Sequence, residues 1–268
     1  MARGDERGGC RPTADSNADN ATYATNATNA TNATNATNAT NATSSTYAAK
    51  RALRKTIKSA LSALTPEVKR SQSARVCRTV LDRGALNLID SLPSSSAICL
   101  YLACDQLNEV DAGEILEHVF SSREDLRVYL PRVLDRDSNM HFLRVYGHDR
   151  YDVVPPFGIR EPTLVGRDGV AREDVLEEAG LAVVFMPGLG FGKGGARLGR
   201  GGGYYDKFLE GWREGRGRER PLLVGLAFDE QVVEEGVVPM DGHDCWLDVV
   251  VSASAVYDMR GSRESRES

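Results

Sequence analysis

The stretch from residue 188 to residue 206, GLGFGKGGARLGRGGGYYD, combines bare glycine backbone with cationic side chains and ends on a carboxylate. Glycine has no Cβ, so backbone N–H groups in such a stretch can approach an anion closely. Arg197 and Arg200 add planar guanidinium groups, which bind phosphate oxygens in pairs. These residue types predict a cradle for a phosphate-like anion, and a mobile surface loop is the alternative.

Two common phosphate-binding patterns do not describe this stretch. Gly190–Gly195 matches G-x-G-x-x-G after an apolar run, but residues 196–203 read as a continuing loop instead of opening a helix at once. No Gly-Lys pair is followed by Ser or Thr, so the Walker pattern is also missing. We therefore expect an anion site that is neither a dinucleotide-binding turn nor a P-loop.

Apolar runs of strand length alternate with amphipathic segments from Ala48 onward, and they must position the glycine-rich stretch. The predicted elements are a helix from Ala48, a helix from a Thr65 N-cap to about Leu81, a strand over 97–103, a helix from a capping box at Asp111 through Phe120, strands over 126–133 and 140–146, a helix near Arg172–Ala179, a strand over 181–187, a helix from Tyr204 to Arg213, and strands over 221–228 and 247–254. This order predicts an α/β fold, with a mainly parallel twisted sheet flanked by helices. The glycine-rich stretch follows a buried strand directly, and ligands of such sheets bind at that edge.

Composition and charge exclude several classes of protein. The net charge is −5, which argues against a chain coated with basic residues for nucleic acid. No apolar segment reaches the roughly 18 residues that a membrane-spanning helix needs. The five cysteines are scattered and form no C-x-x-C pair, so neither a disulfide framework nor a zinc site is indicated. We expect a small-molecule partner, no nucleic acid and no membrane.

Residues 1–46 contain an Asn-Ala-Thr triplet repeated six times and almost no apolar side chains. Such a segment cannot offset the entropy of ordering, so we predict disorder. The triplets match the N-glycosylation pattern, but the chain starts without an apolar signal region. We expect a disordered segment over 1–46, one domain over 47–257, a charged flexible tail over 258–268 and a cytoplasmic protein. A mitochondrial or plastid transit peptide is the alternative.

Four segments together resemble the 5-formyltetrahydrofolate cyclo-ligase family, also called 5,10-methenyltetrahydrofolate synthetases. They are KRALRK (50–55), FGIREP (157–162), MPGLGF (186–191) and RLGRGGGYYDKFL (197–209). The resemblance covers about residues 48–255 in the same order. It implies a single α/β domain that uses ATP and Mg²⁺, and we expect the chain to be a monomer. The reaction it implies converts 5-formyltetrahydrofolate, with or without a polyglutamate tail, into 5,10-methenyltetrahydrofolate with release of ADP and phosphate.

The resemblance also implies roles for individual residues of this chain. The implied ATP-binding residues are Lys50, Arg51, Arg54, Arg197, Leu198, Gly199, Arg200, Gly201, Gly202, Gly203, Tyr204 and Tyr205. The implied folate-binding residues are Leu102, Glu109, Phe157, Arg200, Gly201, Gly202, Gly203 and Tyr204. Asp206 and Asp244 are the implied magnesium ligands, and Arg200 and Tyr204 are the implied catalytic residues. Between Leu102 and Glu109 the chain is longer than the family pattern by about two residues, so these two positions match the family less closely than the loop does.

The residues alone leave other interpretations open. Lys50 and Arg54 could belong to a solvated helix face. Asp206 could cap or stabilise the N-terminus of the helix that starts at Tyr204, because a carboxylate there interacts favourably with the helix dipole. His243, Asp244 and Cys245 include ligand types for a transition metal. Phosphoryl transfer mainly needs positioning and charge neutralisation, which fits a site without a Ser–His or Cys–His pair. A silent binding homologue and a sugar-phosphate or CoA enzyme are the rival functions.

Overall fold

The computed structural model describes residues 45–147, 149–155, 158–215 and 217–262. The α-helices are α1 (45–62), α2 (Pro66–Leu81), α3 (Gly113–Ser122) and α4 (Tyr204–Glu214). The strands are β1 (Ala97–Cys99), β2 (Arg127–Val133), β3 (Met140–Val145), β4 (Tyr151–Val154), β5 (Ile159–Pro162), β6 (Leu181–Met186), β7 (Gly190–Gly192), β8 (Arg197–Leu198), β9 (Leu222–Leu226), β10 (Val232–Val233), β11 (Val249–Val251) and β12 (Val256–Asp258). Residues 1–44 of the predicted disordered segment, Phe157 and residues 263–268 of the predicted tail lie outside the described residues, whereas Ser45 and Thr46 begin α1. The predicted domain bounds therefore stay predictions.

A seven-stranded sheet in the order β12-β11-β9-β6-β1-β2-β3 carries the fold. The five inner strands pair in parallel, and the two edge strands pair antiparallel to their neighbours. Successive residues of β1 face opposite sides: Ile98 packs in one apolar core, while Ala97 and Cys99 pack in the other. Cores on both faces explain why the inner strands read as continuous apolar runs. The predicted α/β class and its mainly parallel sheet are confirmed.

Helices α1 and α2 form for the reasons that the sequence indicates. Ile57 and Leu61 of α1 are buried in the core, as the 3.6-residue spacing predicts. The side chain of Thr65 accepts a hydrogen bond from the Val68 N–H (3.3 Å), and Pro66 occupies the first turn of α2. Thr65 and Pro66 therefore specify where α2 begins.

The helix predicted near Arg172–Ala179 is wrong, because this segment contains only a 3-10 turn at Val175–Glu177. Its polar side chains bind distant parts of the molecule. Arg172 donates to Asp149 (2.7 Å), and the carboxylate of Glu178 accepts from Tyr129 and Arg127. These tertiary contacts hold the chain in an extended path that a regular helix could not follow.

The capping box predicted at Asp111 is also wrong in detail. The residue before α3 is Ala112, which supplies no capping side chain. Asp111 instead accepts from the N–H of Gly113 (2.9 Å) through its own carboxylate. The carboxylate of Asp111 thus bonds the N–H two residues later, in an Asx turn, and satisfies one N–H group of the first helical turn. The helix therefore still begins close to the predicted position.

The first half of the glycine-rich stretch is a hairpin, so the loop predicted over 196–203 is wrong at its start. β7 pairs antiparallel with β8, and β10 pairs with β7 on the other side. A Cβ added to Gly188 would lie 2.6 Å from the Phe191 ring, and one added to Gly190 would lie 2.5 Å from Ile57 Cδ1. These glycines make room for buried side chains, which is a packing role and not an anion-binding one.

No helix in the described part of the chain combines the length and the apolar character needed to cross a membrane.

Candidate active site

A cleft of about 870 Å³ opens where the glycine-rich stretch follows the sheet. Its walls come from α1, from the segments after β1 and β6, from the β2–β3 and β4–β5 hairpins, and from residues 197–206. Parallel strands present their carboxyl ends at one edge of a sheet, so loops from distant parts of the sequence meet there. Ten of the residues assigned by resemblance line this cleft: Leu102, Glu109, Arg197, Gly199, Arg200, Gly202, Gly203, Tyr204, Tyr205 and Asp206.

The backbone of the second half of the stretch takes conformations that suit glycine. Gly201 has φ +106° and Gly203 has φ +68°, both in the region that L side chains rarely adopt. Gly203 is the N-cap of α4, and it provides no capping side chain. The free N–H groups of the first turn therefore lie beside the cleft, where a helix start attracts negative charge.

Arg197 is a buried anchor of this loop, with only 7% of the residue exposed. Its Nη2 donates to both carboxylate oxygens of Asp206 (3.2 and 3.1 Å), and its Nη1 donates to the Pro187 carbonyl (3.3 Å). The guanidinium also lies over the ring of Tyr205, 5.4 Å from its centroid. Its Nε is buried and has no hydrogen-bond partner within the described residues. An unpaired buried donor of this kind is suited to an oxygen of an anionic ligand.

Arg200 joins the loop to the segment that follows β1. Its Nη2 donates to the Leu107 carbonyl, and its Nε lies 3.6 Å from Oε1 of Glu109. Oε2 of Glu109 accepts from the backbone N–H of Cys104 (3.2 Å). Burial raises the pKa of Glu109, although the charge of Arg200 and these hydrogen bonds oppose the rise. The resemblance implies folate binding for both residues and ATP binding for Arg200 as well, and the two lie close together in one cleft.

The basic residues of α1 reach the same region. Lys50 Nζ donates to Asp241 Oδ2 (2.7 Å) and to Asp244 Oδ2 (2.5 Å), while Arg54 Nε donates to the Gly199 carbonyl (2.9 Å). Lys50 is only 7% exposed, so it does not belong to a solvated helix face. Burial lowers the pKa of Lys50, but hydrogen bonds and charges from the two aspartates outweigh it, and the net pKa is raised. Arg51 is exposed on the same helix.

Asp206 and Asp244 belong to one connected network. Oδ1 of Asp206 accepts from the backbone N–H of Cys245 (3.4 Å), the residue after Asp244. Oδ2 of Asp244 accepts from Lys50 and from the backbone N–H of Asp241 (2.7 Å). Their carboxylates offer the hard oxygen donors that Mg²⁺ prefers, with few protein ligands needed. Within the described residues, no three His, Cys, Asp or Glu side chains cluster as a metal site, so the transition-metal interpretation of 243–245 gains no support.

The two tyrosines of the loop differ in their surroundings. The hydroxyl of Tyr204 donates to the Asp135 carbonyl (3.2 Å), at the turn between β2 and β3. Tyr205 packs against the second core, and burial raises its pKa well above the usual value. Ser138, in the same turn, donates to the Gly202 carbonyl. Sequence reasoning missed this turn as a support of the loop, because nothing in its own residues identifies a distant partner.

Two further residues of the site were missed although they lie in segments that had been singled out. Asp241 shares Lys50 with Asp244 and stands in the same DGHD run. Glu161 lines the cleft and stands in FGIREP, of which only Phe157 was assigned a role. A carboxylate inside a motif was the available signal in both cases.

Comparison with known proteins agrees with this geometry. The model of the 5-formyltetrahydrofolate cyclo-ligase family matches residues 46–253. The chain belongs to this family. The mitochondrial cyclo-ligase of Arabidopsis thaliana is 34% identical over 201 residues, which cover 72% of this chain and 70% of the relative. The Mus musculus cyclo-ligase is 31% identical over 160 residues, covering 59% of this chain and 73% of the relative.

A solved structure supports membership at the level of the fold. The solution structure of the Aquifex aeolicus 5,10-methenyltetrahydrofolate synthetase superimposes with a TM-score of 0.58 at 26% identity. The match covers 79% of this chain and 93% of the Aquifex protein. The cyclo-ligase family is a family of folate-converting enzymes, so the cleft is its candidate active site.

Proposed function

We propose that this cyclo-ligase family member converts 5-formyltetrahydrofolate into 5,10-methenyltetrahydrofolate, using ATP and Mg²⁺ and releasing ADP and phosphate. The observation that carries the proposal is the contact of Arg200 with Glu109 in one cleft. This contact places the loop that we propose binds the ATP phosphates next to Glu109, a proposed folate-binding residue. A reaction between a nucleotide phosphate and a folate needs such a shared site.

The chemistry explains why no protein nucleophile is required. The formyl carbon on N5 is a poor electrophile, because the nitrogen donates electrons into its carbonyl group. The formyl oxygen takes the γ-phosphoryl group of ATP, so a new O–P bond forms while the bond between the γ-phosphorus and the ADP oxygen breaks. N10 then attacks the activated carbon, the C–O bond breaks, and phosphate leaves with that oxygen. The N10 proton is released, and the methenyl bridge remains.

The residues of the loop would stabilise charge during the phosphoryl transfer. Arg200, Gly202 and Gly203 line the cleft at the start of α4, and their guanidinium and N–H groups would act as preorganised donors. Arg197 has one buried N–H without a partner in the described part of the chain, which an oxygen of the nucleotide would satisfy. Asp206 and Asp244 would hold Mg²⁺, which neutralises phosphate charge when bound. Tyr204 and the basic residues Lys50, Arg51 and Arg54 complete the proposed nucleotide side.

Turnover by the purified full-length chain tests this function. We expect the absorbance of methenyltetrahydrofolate to rise when 5-formyltetrahydrofolate, ATP and Mg²⁺ are all present. Omitting ATP, or chelating the metal, should leave the absorbance unchanged. A folded chain that forms no product with all three components would contradict the proposal.

We also propose a cytoplasmic monomer, with the mitochondrion as the alternative compartment. The alternative has support because the Arabidopsis relative is named mitochondrial and the family match here begins only at residue 46. A fluorescent fusion made with and without residues 1–44 would distinguish the compartments, and light scattering would give the mass. Mitochondrial fluorescence that depends on residues 1–44, or the mass of a dimer, would contradict the respective part of the proposal.

A further inference from the structure

Glu161 is a buried carboxylate on the wall of the cleft. It lies on β5, is only 3% exposed, and lines the same cavity as the glycine-rich loop. The backbone N–H of Val133 donates to its carboxylate, and Arg132 Nε lies 3.4 Å from Oε2. This last distance is an ion-pair separation without hydrogen-bond geometry, so within the described residues Oε2 is a buried oxygen with no hydrogen-bond partner. A buried acceptor left unpaired is rare in native proteins, and a ligand that donates to it removes the cost.

Glu109, the second buried carboxylate of the cleft, already has partners for both of its oxygens. Oε1 of Glu109 lies 3.6 Å from Arg200, and its Oε2 accepts from the N–H of Cys104. Glu109 therefore holds the loop in place, whereas Glu161 has an acceptor to offer. The two carboxylates face one cavity but have different capacities for a ligand.

The charge of Glu161 limits what it can bind. Phosphate groups and the glutamate carboxylates of a folate are anionic, and a buried carboxylate would repel them. The pyrimidine edge of a reduced pterin is neutral, and it presents two adjacent donors, the 2-amino group and the N3–H. Adenine presents one amino donor beside a ring nitrogen that is itself an acceptor, so it suits a carboxylate less well.

We propose that Glu161 binds the pyrimidine edge of the folate substrate by accepting hydrogen bonds from its 2-amino and N3–H groups. This inference rests on the proposed function and names the residue that selects the pterin. The anchored geometry from Val133 and Arg132 presents the carboxylate at a fixed position. The anionic parts of both substrates are then left for Arg197 and Arg200, which line the same cleft.

Equilibrium binding without ATP tests this assignment directly. The two ligands are 5-formyltetrahydrofolate and its analogue with hydrogen in place of the 2-amino group. Calorimetry on the full-length chain gives the dissociation constant of each. We expect the wild type to bind the analogue at least about 10-fold more weakly, because a buried acceptor loses its donor. Glu161→Ala should bind the natural ligand at least about 10-fold more weakly and should bind both ligands equally well. Glu161→Gln keeps one acceptor oxygen and should show a smaller loss.

Asp152→Asn is the matched control. Asp152 lies on the neighbouring strand and accepts from Arg132 (3.0 Å), but it is not part of the cleft wall. If Glu161 acted only by holding Arg132, this variant would reproduce the loss; we expect it to bind both ligands as the wild type does. Thermal unfolding of each variant checks that it folds, and Glu161→Gln carries the test if Glu161→Ala does not.

Several outcomes would overturn the assignment. They are unchanged folate binding in Glu161→Ala, an equal loss for both ligands in that variant, a loss of the same size in Asp152→Asn, or a rise in the KM for ATP with folate binding intact. In each of these cases wild-type turnover would leave the proposed function standing. A wild type that neither binds nor converts 5-formyltetrahydrofolate would contradict the proposed function and this inference together.

Discussion

At the scale of single residues, Arg200 connects the proposed nucleotide side of the cleft with the proposed folate side. It contacts Leu107 and Glu109 and lies in the loop before α4. Removing one cationic stabiliser of a phosphoryl-transfer site costs about 10²–10³ in rate in other enzymes. We predict a loss of this size in kcat for Arg200→Ala, measured by product absorbance. Arg213→Ala, which changes an arginine in the last turn of α4, is the control; near wild-type turnover in Arg200→Ala would contradict the role.

Asp206 combines a proposed metal contact with a structural one. Its carboxylate accepts two hydrogen bonds from Arg197 and is a proposed Mg²⁺ ligand. Because Asp206→Asn removes the negative charge from both contacts, it should lower kcat by about 10²–10³ and raise the Mg²⁺ concentration needed for half-maximal rate. Titrating Mg²⁺ at saturating ATP measures both effects. Glu210→Gln changes an exposed carboxylate of the same helix and should change neither value. An unchanged Mg²⁺ requirement in Asp206→Asn would count against the metal contact.

Lys50 leads to a prediction about pH and stability. The pKa of Lys50 in the folded chain lies above its ordinary value of 10.5. Its ion pairs therefore stabilise the fold fully below pH 10.5, and this contribution is lost as the pH rises through the folded-state pKa. Lys50→Met should lower the free energy of unfolding by about 1–3 kcal/mol at neutral pH, with a difference that shrinks above that pKa.

Urea unfolding from neutral to strongly alkaline pH would follow this difference. Lys55→Met changes an exposed lysine on the same helix, and we expect almost no effect at any pH. A Lys50→Met difference that grows with pH would show that the ion pairs do not account for it.

At the scale of elements, the start of α4 depends on a glycine that an L residue would strain. Gly203 has φ +68°, and a Cβ there would meet only Ser138 Oγ at 3.7 Å, so the cost is conformational and not steric. Gly203→Ala should destabilise the fold by about 1–2 kcal/mol and lower kcat by moving the amide groups of the loop.

Gly211 offers a control in the same helix. It lies in the interior of α4, and a Cβ added there meets nothing within 4 Å. Gly211→Ala should stabilise the fold by about 0.5–1 kcal/mol and leave kcat unchanged. Thermal unfolding and turnover of both variants would show whether backbone conformation matters only at Gly203; equal effects would contradict the argument.

Elements whose signals are local could be predicted from the sequence, and those held by distant contacts could not. The spacing of Ile57 and Leu61 and the Thr65-Pro66 pair specify α1 and α2 through neighbours in the chain. Residues 172–179 have helix-compatible composition, but Arg172 and Glu178 bind side chains far away in sequence. The β7–β8 hairpin was hidden because glycine has low strand propensity, and its glycines are explained by the packing of other side chains, such as Ile57 against Gly190.

The site shows the same division. The run 197–206 was identifiable because its glycines, arginines and carboxylate stand together in one stretch of chain. Its supports come from elsewhere: Asp135 and Ser138 of the β2–β3 turn bind Tyr204 and Gly202. Glu161 stands in the FGIREP motif, but its burial and its unpaired oxygen, which are properties of the folded chain, distinguish it from the rest of the motif. The motif thus predicts the residues of the loop, while the contacts that support the loop appear only in the folded chain.

At the scale of the whole molecule, an acidic chain carries two arginines in the cleft where we propose that an anionic ligand binds. The net charge is −5, and Arg197 and Arg200 line the same cleft as Gly203, the N-cap of α4. The negative net charge disfavours adventitious polyanions, while the two guanidinium groups and the helix start offer donors to a small anion. This arrangement fits an enzyme for small anionic substrates better than a nucleic-acid-binding protein.

The coupling of ATP consumption to ring closure is the central claim, and one reaction can test it. Methenyltetrahydrofolate, ADP and phosphate are quantified together during turnover of 5-formyltetrahydrofolate by the full-length chain. The proposed phosphoryl transfer to the formyl oxygen predicts that the three products form in equal amounts and that ADP formation stops when the folate is omitted. Methenyltetrahydrofolate formed without ADP, or ADP formed at the same rate without folate, would contradict it.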